Sequence, residues 1–335
     1  MEVLLGLLII AVGAFGQSSC YVPINKIRSW SWESYWIVQG VFAWLVLPFL
    51  GALLAVPEGH NLCELFAENH KAIFMTMFCG VLWGVGSLTF GLSMRYLGVA
   101  LGQSITLGTC AALGTILAPL FTGQADKLTV SVIAGVVVTL AGISIIGIAG
   151  NMKSKSLSEE EKRKAVKDFN FTKGLMVALL AGFMSGCFNI GLERGASLRF
   201  EGANPMFASL PATFLVTVGG FMTNLAYCFY QNSKNKTWSD YKKGSVWGSN
   251  MFFCLLAGAL WYSQFFGLSI GKGFLTSSPA LLTFSFCILM ALSVVFSNVW
   301  GIVLKEWKGC SPKTIAVLLL GIIVLVVSSF LPQLL

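Results

Sequence analysis

Long uninterrupted apolar runs, separated by short polar segments, are the main pattern along this 335-residue chain. A helix needs about 20 apolar residues to cross a hydrocarbon core about 30 Å thick, and helical hydrogen bonding satisfies the backbone where water is absent. The run lengths predict ten membrane-spanning helices, so we expect an all-α integral membrane protein. The predicted spans are 3–22, 34–56, 72–94, 97–121, 129–149, 174–194, 206–231, 248–271, 276–299 and 313–334.

The composition excludes most soluble classes of protein. Hydrophobic residues make up 56% of the chain and charged residues 11%, whereas an average soluble domain is roughly 25% charged. A soluble enzyme, a disordered chain and a nucleic-acid binder are therefore not expected. No HExxH or Walker sequence occurs, and we predict no enzyme, no cofactor and no metal.

The basic residues are unevenly distributed between the two predicted sides. The segments after the odd-numbered spans, counted together with Lys313 at the start of the tenth span, carry 17 of the 22 Lys and Arg residues. Positive residues are enriched on the cytoplasmic side. The count predicts an inner (plasma) membrane protein with both termini outside the cytoplasm.

A short pattern recurs in the third and eighth predicted spans. Residues 80–83 read GVLW and residues 90–93 read FGLS; residues 258–261 read GALW and residues 266–269 read FGLS. The shared order, GxLW followed by FGLS, falls in the third helix of each half. The sequence therefore predicts an internal repeat of five helices.

An odd number of helices per repeat turns the second copy upside down relative to the first. We therefore predict two inverted five-helix repeats at 1–150 and 174–335, joined by a cytoplasmic linker at 151–173. Inverted repeats are typical of secondary transporters, whose substrate site lies near the midplane.

Two tryptophans lie at unusual depth in these spans. Trp residues normally collect at the membrane interface, but Trp83 and Trp261 lie near the middle of their spans. Side-chain amides within the spans would be costly if they faced lipid, so we expect them to point into the protein. There they could either bind a ligand or form hydrogen bonds between helices. The candidate substrate-binding residues are Trp83, Trp261, Tyr262, Gln264, Gln17 and Asn189.

The candidate site suits a neutral, hydroxyl-rich substrate. An indole can lie against the C–H face of a sugar, while amides both donate to and accept from hydroxyl groups. No cluster of buried basic residues suggests a phosphate or carboxylate substrate.

The polar loop at 57–71 contains both histidines of the chain, His60 and His70. A metal site with Cys63 and Glu64 is conceivable, but the spacing matches no standard set of ligands. An interfacial amphipathic helix is the favoured interpretation.

Ionisable residues in or beside membrane spans are candidates for proton coupling or gating. All of them lie near span ends, where solvation of the charged group is the alternative explanation. The candidates are Glu193, Glu33, Arg95, Lys305 and Glu306. Glu193 and Glu33 are the candidate proton carriers, and the others could form a cytoplasmic charge gate with Glu33.

Several motifs in order along the chain resemble those of the L-rhamnose/proton symporters. The matching segments are 20–23 (CYVP), 30–33 (WSWE), 83–86 (WGVG), 91–98 (GLSMRYLG), 261–266 (WYSQFF) and 303–307 (VLKEW). The resemblance implies a ten-helix inner-membrane carrier related to the drug/metabolite transporter superfamily, which takes up L-rhamnose with a proton and has no cofactor. That superfamily usually keeps both termini in the cytoplasm, whereas the charge count predicts the reverse.

Two other functions stay open at this point. An exporter of hydrophobic compounds or metabolites would use the same fold and the aromatic cluster with fewer amide contacts. A membrane sensor or scaffold would move no substrate, although the chain contains no soluble signalling domain. The partners expected for the favoured function are a small sugar, a proton and membrane lipid, with no nucleic acid.

Overall fold

The computed structural model describes residues 1–156, 170–305 and 307–334, and these residues form helices and turns without a β-strand. We number the long apolar helices as spans in chain order. They are span 1 (Glu2–Ser19, continued by Tyr21–Ile24), span 2 (Trp32–Leu53), span 3 (His70–Leu97), span 4 (Val99–Phe121), span 5 (Val130–Ser156), span 6 (Phe171–Arg194), span 7 (Leu210–Asn235), span 8 (Gly244–Phe274), span 9 (Pro279–Val303) and span 10 (Pro312–Ser328). Within the described residues, nine are long and apolar enough to cross a membrane, and span 10 is a shorter apolar helix. The expected multi-pass, all-helical architecture is confirmed.

The observed ends depart from the predicted ones mainly at prolines and at the linker. Span 7 begins at Leu210 rather than 206, with Pro211 in its first turn, where a missing N–H costs no helical hydrogen bond. Span 10 ends at Ser328, and a separate short helix, Leu331–Leu334, follows. The first part of the predicted linker continues the helix of span 5 to Ser156, and residues 157–169 lie outside the described residues.

The loop between spans 2 and 3 contains the short helix Leu62–Ala67. Leu62 and Leu65 are buried on one side of this helix, while Glu64 is exposed. The two faces of this helix therefore differ in polarity. The helix covers only part of the loop at 57–71, for which the sequence favoured an interfacial amphipathic helix. His60 Nδ1 and Glu64 Oε2 lie 2.9 Å apart at the surface.

Span 2 is not a regular α-helix, a feature that the sequence interpretation missed. Its middle, Val41–Val46, is π-helical, and the Leu47 N–H donates to the Phe42 carbonyl oxygen five residues earlier. Pro48 follows directly, and a proline has no N–H for the carbonyl four residues before it. The wider turn relieves that conflict inside an otherwise continuous span.

Clustering of the described residues divides the chain into two compact units. Unit 1 consists of Met1–Gly84 and Gly191–Phe274, and unit 2 consists of Val85–Ile190 and Leu275–Leu335. Each unit draws on both halves of the sequence, and spans 3 and 6 contribute residues to both units. The division into two inverted repeats stays a prediction, since it concerns sequence symmetry rather than compactness.

Within unit 1, glycines bring span 1 against span 8. A Cβ atom at Gly13 would lie 2.8 Å from the Ser263 carbonyl oxygen, and one at Gly267 would lie 3.0 Å from the Ile9 carbonyl oxygen. At these positions only the hydrogen atom of glycine, and no side chain, fits beside the backbone of the neighbouring helix. Small residues are the usual means of close helix packing in lipid, where association gains little from the hydrophobic effect.

Within unit 2, span 10 packs along span 5 in the opposite direction. Thr139 Oγ1 donates to Ser328 Oγ at 3.0 Å near one end of the pair. Lys153 Nζ lies 4.8 Å from the Trp307 ring centroid near the other end. The two contacts are 14 residues apart on span 5, or about 21 Å along a helix. Span 10 and the residues before it therefore follow span 5 over most of a membrane thickness.

Candidate functional site

The two deep indoles lie in direct contact within unit 1. The ring centroids of Trp83 and Trp261 are 5.6 Å apart, and the ring planes are tilted by 36°. Trp83 is 7% exposed and Trp261 is half-buried. The residues that the repeated GxLW motif singled out therefore form one aromatic cluster.

A third indole, absent from the sequence-based candidate set, completes this cluster. The Trp44 ring centroid lies 5.8 Å from that of Trp83 and 5.9 Å from that of Trp261, with interplanar angles of 88° and 83°. Trp44 is only 1% exposed. Two indoles at a shallow tilt and a third perpendicular to both define the Trp44–Trp83–Trp261 cluster.

Glycines on neighbouring helical turns accommodate these rings. A Cβ atom at Gly220 of span 7 would overlap the Trp83 ring, and one at Gly40 would lie 2.6 Å from Trp44 Cε3. A tryptophan this deeply buried needs a matching depression, because protein interiors leave few voids. The glycines therefore determine where the indoles can lie.

Tyr262, Phe265 and Gln264 surround the cluster on span 8. The Phe265 ring packs edge-on against Trp261 at 5.3 Å between centroids. The Tyr262 hydroxyl is buried, contacts the backbone at Gly51 and has no hydrogen-bond partner among the described residues. Gln264 Nε2 donates to the Trp261 carbonyl oxygen at 2.9 Å, so that part of its amide is used within span 8.

The two predicted side partners have separate environments. Gln17 is buried in unit 1, where its Oε1 accepts from Ser18 Oγ at 3.3 Å. Asn189 belongs to unit 2, where its Nδ2 donates to the Gly114 carbonyl oxygen at 3.0 Å. The Asn189 Oδ1 is buried without a partner among the described residues.

Gln39 is a further polar residue that sequence reasoning missed. It is 1% exposed on span 2, and its Oε1 has no partner in the described part of the chain. The signal was present: Gln39 is an amide inside an apolar run, and Trp44 is a tryptophan near the middle of a span. Both meet the criteria that identified Gln264 and Trp261.

A buried carboxylate, also missed, joins span 2 to the turn after span 7. Asp240 is 4% exposed. Its Oδ2 accepts from Ser31 N, Ser31 Oγ and Ser34 Oγ at 2.7, 2.6 and 3.0 Å, and its Oδ1 accepts from Lys243 Nζ at 2.6 Å. Burial by itself would raise the pKa of Asp240, but the hydrogen bonds from Lys243, Ser31 and Ser34 outweigh it and lower the pKa to about 2. Asp240 is therefore ionised and holds the two segments together.

Glu33 lies beside this carboxylate at the start of span 2. Its Oε1 accepts from Asn235 Nδ2 at 3.0 Å and from Thr237 Oγ1 at 2.8 Å. Thr237 and Asp240 both lie in the turn after span 7. The segments after spans 1 and 7 therefore meet at one end of unit 1, as alternating helix directions require.

The other charged candidates are dispersed. Glu193 Oε1 and Lys272 Nζ lie 3.5 Å apart at the ends of spans 6 and 8, in unit 1. Arg95 in the last turn of span 3 and Lys305 after span 9 belong to unit 2. Glu306 lies outside the described residues.

A cavity of about 340 Å³ opens elsewhere in unit 1, between the start of span 3 and the end of span 6. Its lining includes three potential cations, His70, Lys71 and Arg194, together with Glu68. The indole cluster takes no part in it. We assign the candidate substrate site to the cluster rather than to this cavity, because the indole rings that the sequence singled out contact each other there.

Comparisons with known proteins extend over the whole chain. The profile of the family described as L-rhamnose-proton symport protein matches residues 1–334. A Yersinia pestis (strain Pestoides F) protein named L-rhamnose-proton symporter is 29% identical over 341 residues, covering 98% of this chain and 96% of its own. A Cronobacter sakazakii protein of the same name is 30% identical over 338 residues, covering 97% and 95%.

We expect Asp240→Asn to lower the thermal unfolding midpoint of the purified protein at pH 6. The folded pKa of about 2 lies below the ordinary value of 3.8, so ionisation contributes about 2 kcal/mol to stability. A carboxylate with a lowered folded pKa stabilises above the ordinary pKa and loses that contribution as the pH falls through the folded pKa. The gap between variant and wild type should therefore close between about pH 4 and pH 2.

Asp126→Asn is the matched control, because Asp126 is an exposed carboxylate in another turn. It should change the midpoint little, as surface substitutions usually do. Equal midpoints for wild type and Asp240→Asn at pH 6 would contradict the role assigned to Asp240.

Proposed function

Because the chain belongs to the L-rhamnose-proton symport protein family, we propose that it takes up L-rhamnose together with a proton by alternating access. The protein is a multi-pass membrane protein of a transporter family and not an enzyme. The names of its relatives favour symport over the exporter and sensor alternatives. The observation that carries the site is the direct contact between Trp83 and Trp261.

The aromatic cluster matches the chemistry of a deoxy sugar. L-rhamnose presents C–H groups on its ring faces, hydroxyl groups around its edge and one methyl group. In our proposal, Trp83 and Trp261 cover the C–H groups, and Phe265, which packs against Trp261, receives the methyl group. Tyr262 and Gln264 flank Trp261 on span 8, with Gln17 as an additional polar partner in unit 1, while Asn189 in unit 2 stays a separate candidate.

Selectivity would come from the polar atoms of the site. A hydroxyl that finds its partner gains a hydrogen bond, whereas a sugar that lacks it leaves a buried polar group unsatisfied. That penalty is larger than the gain from an average hydrogen bond. The unpartnered Tyr262 hydroxyl is one such group.

The proposal is tested by uptake of radiolabelled L-rhamnose into membrane vesicles with and without an imposed proton gradient. A potential of 100 mV supplies about 2.3 kcal/mol per proton, enough for roughly 50-fold accumulation. We expect accumulation only with the gradient, and Trp261→Ala should raise the apparent KM at least about tenfold, or ~1.4 kcal/mol.

Trp247→Ala is the matched control for this substitution, because it makes the same change on the same span at a residue that is 47% exposed. Its KM should equal that of the wild type. Gradient-independent equilibration would exclude proton coupling, and an unchanged KM in Trp261→Ala would remove Trp261 from the site.

For proton coupling we propose Glu193. Its ion pair with Lys272 is a contact that protonation would weaken, whereas Glu33 is held by the neutral donors Asn235 and Thr237. Glu33, Arg95, Lys305 and Glu306 are each proposed as gating charges. We expect Glu193→Gln to abolish gradient-driven accumulation while sugar exchange stays within about twofold of wild type, since exchange needs no net proton movement.

Glu33→Gln is the comparison in the same assay. It should retain accumulation, because an amide oxygen can still accept from Asn235 and Thr237. The opposite pattern would assign the proton to Glu33, and loss of exchange in both variants would show that neither residue acts through coupling alone.

We also propose an inner-membrane location with both termini outside the cytoplasm. Two cysteines on opposite predicted sides provide the test: Cys63 is exposed after span 2 and Cys310 is half-buried after span 9, while the other seven cysteines are buried. A membrane-impermeant maleimide should label Cys63 in intact spheroplasts and reach Cys310 only after lysis.

Cys63→Ser and Cys310→Ser identify which residue carries each label. Labelling of Cys310 and protection of Cys63 in intact spheroplasts would mean the opposite orientation, with both termini in the cytoplasm.

A further inference from the structure

Trp44 carries a buried N–H group for which the described residues supply no acceptor. Its Nε1 is inaccessible to solvent and has no hydrogen-bond acceptor among the described residues. Trp36, two turns earlier in span 2, is different, because its Nε1 donates to Asn224 Oδ1 at 2.9 Å. A buried polar group without a partner destabilises the folded state. The Trp36 N–H is therefore used within the protein, whereas the Trp44 N–H can donate to a bound ligand.

The π-helical turn determines where the Trp44 ring points. One residue more per turn rotates the helix before it by about 100° relative to the helix after it. Trp44 lies within the π-helical segment Val41–Val46, and its ring contacts both Trp83 and Trp261. Insertions of this kind in helices are frequent at functional sites.

Two more unpartnered polar atoms lie on the same pair of spans. The Gln39 Oε1 on span 2 and the Tyr262 hydroxyl on span 8 have no partner in the described residues. Together with Trp44 Nε1 they offer one acceptor, one hydroxyl and one donor. An indole N–H beside aromatic rings suits a hydroxyl-bearing substrate, because a hydroxyl oxygen can accept its hydrogen bond.

We infer that Trp44 is a substrate-binding residue whose Nε1 donates a hydrogen bond to one hydroxyl group of the bound sugar. This inference rests on the proposed function, since it takes the sugar to be L-rhamnose. Trp44 sets specificity at that hydroxyl, while Trp83 and Trp261 contribute contacts with the C–H faces.

Trp44→Phe tests this role, because phenylalanine keeps an aromatic ring and removes the N–H. The apparent KM is measured in vesicles for L-rhamnose and for its 1-, 2-, 3- and 4-deoxy analogues. We expect Trp44→Phe to raise the KM for L-rhamnose roughly five- to tenfold. For one analogue, the one that lacks the bonded hydroxyl, wild type and variant should agree within about twofold.

Trp36→Phe is the control, since it makes the same change on the same span where the N–H is already bonded within the protein. It should affect L-rhamnose and all four analogues equally. A KM for L-rhamnose within twofold of wild type in Trp44→Phe, or an equal loss for every analogue, would overturn the inference.

Gly40→Ala provides a second variant in case Trp44→Phe does not fold. Its added Cβ would lie 2.6 Å from Trp44 Cε3 and would shift the ring without removing the N–H. In Gly40→Ala the apparent KM should again match the wild type only for the analogue that lacks the bonded hydroxyl. An equal rise in KM for every analogue would contradict the role of Trp44. Failure of the wild type to accumulate L-rhamnose is a separate result, which would refute the proposed function itself.

Discussion

Close helix approach at glycine is the interaction on which unit 1 depends. Lipid chains are as apolar as leucine, so helices in a bilayer are held by close packing and by internal hydrogen bonds rather than by exclusion from water. Where span 1 meets span 8, Gly13 and Gly267 let the two backbones come together. The same absence of side chains at Gly40 and Gly220 makes room for two buried indoles. A larger residue at any of these positions would force the neighbouring backbone or ring to shift.

Span 2 combines a fixed end with an irregular middle. At its start, Ser31 and Ser34 donate to Asp240, which anchors the span to the turn after span 7. In its middle, the π-helical turn before Pro48 presents Trp44 to the other indoles. The anchored start of span 2 therefore lies on the same helix as the turn that places Trp44.

The candidate site was partly predictable, and its omissions have specific causes. Trp83 and Trp261 were identified because a local motif recurs, and the structure brings them into contact. Trp44 and Gln39 met the same depth criterion, but neither lies in the repeated motif that directed attention to the others. Asp240 is different in kind, because the serines that bind it precede it by more than 200 residues. No local pattern indicates such a partner.

The sequence by itself determined that the chain crosses a membrane as a series of helices, because length and hydropathy act locally and a bilayer leaves the backbone no alternative. It also determined the family, through motifs spread in order along the chain. Only the tertiary structure decided which spans pack together and which polar atoms stay unbonded. Those features depend on contacts between distant segments, where a missing Cβ atom or one extra residue in a turn changes which side chains meet.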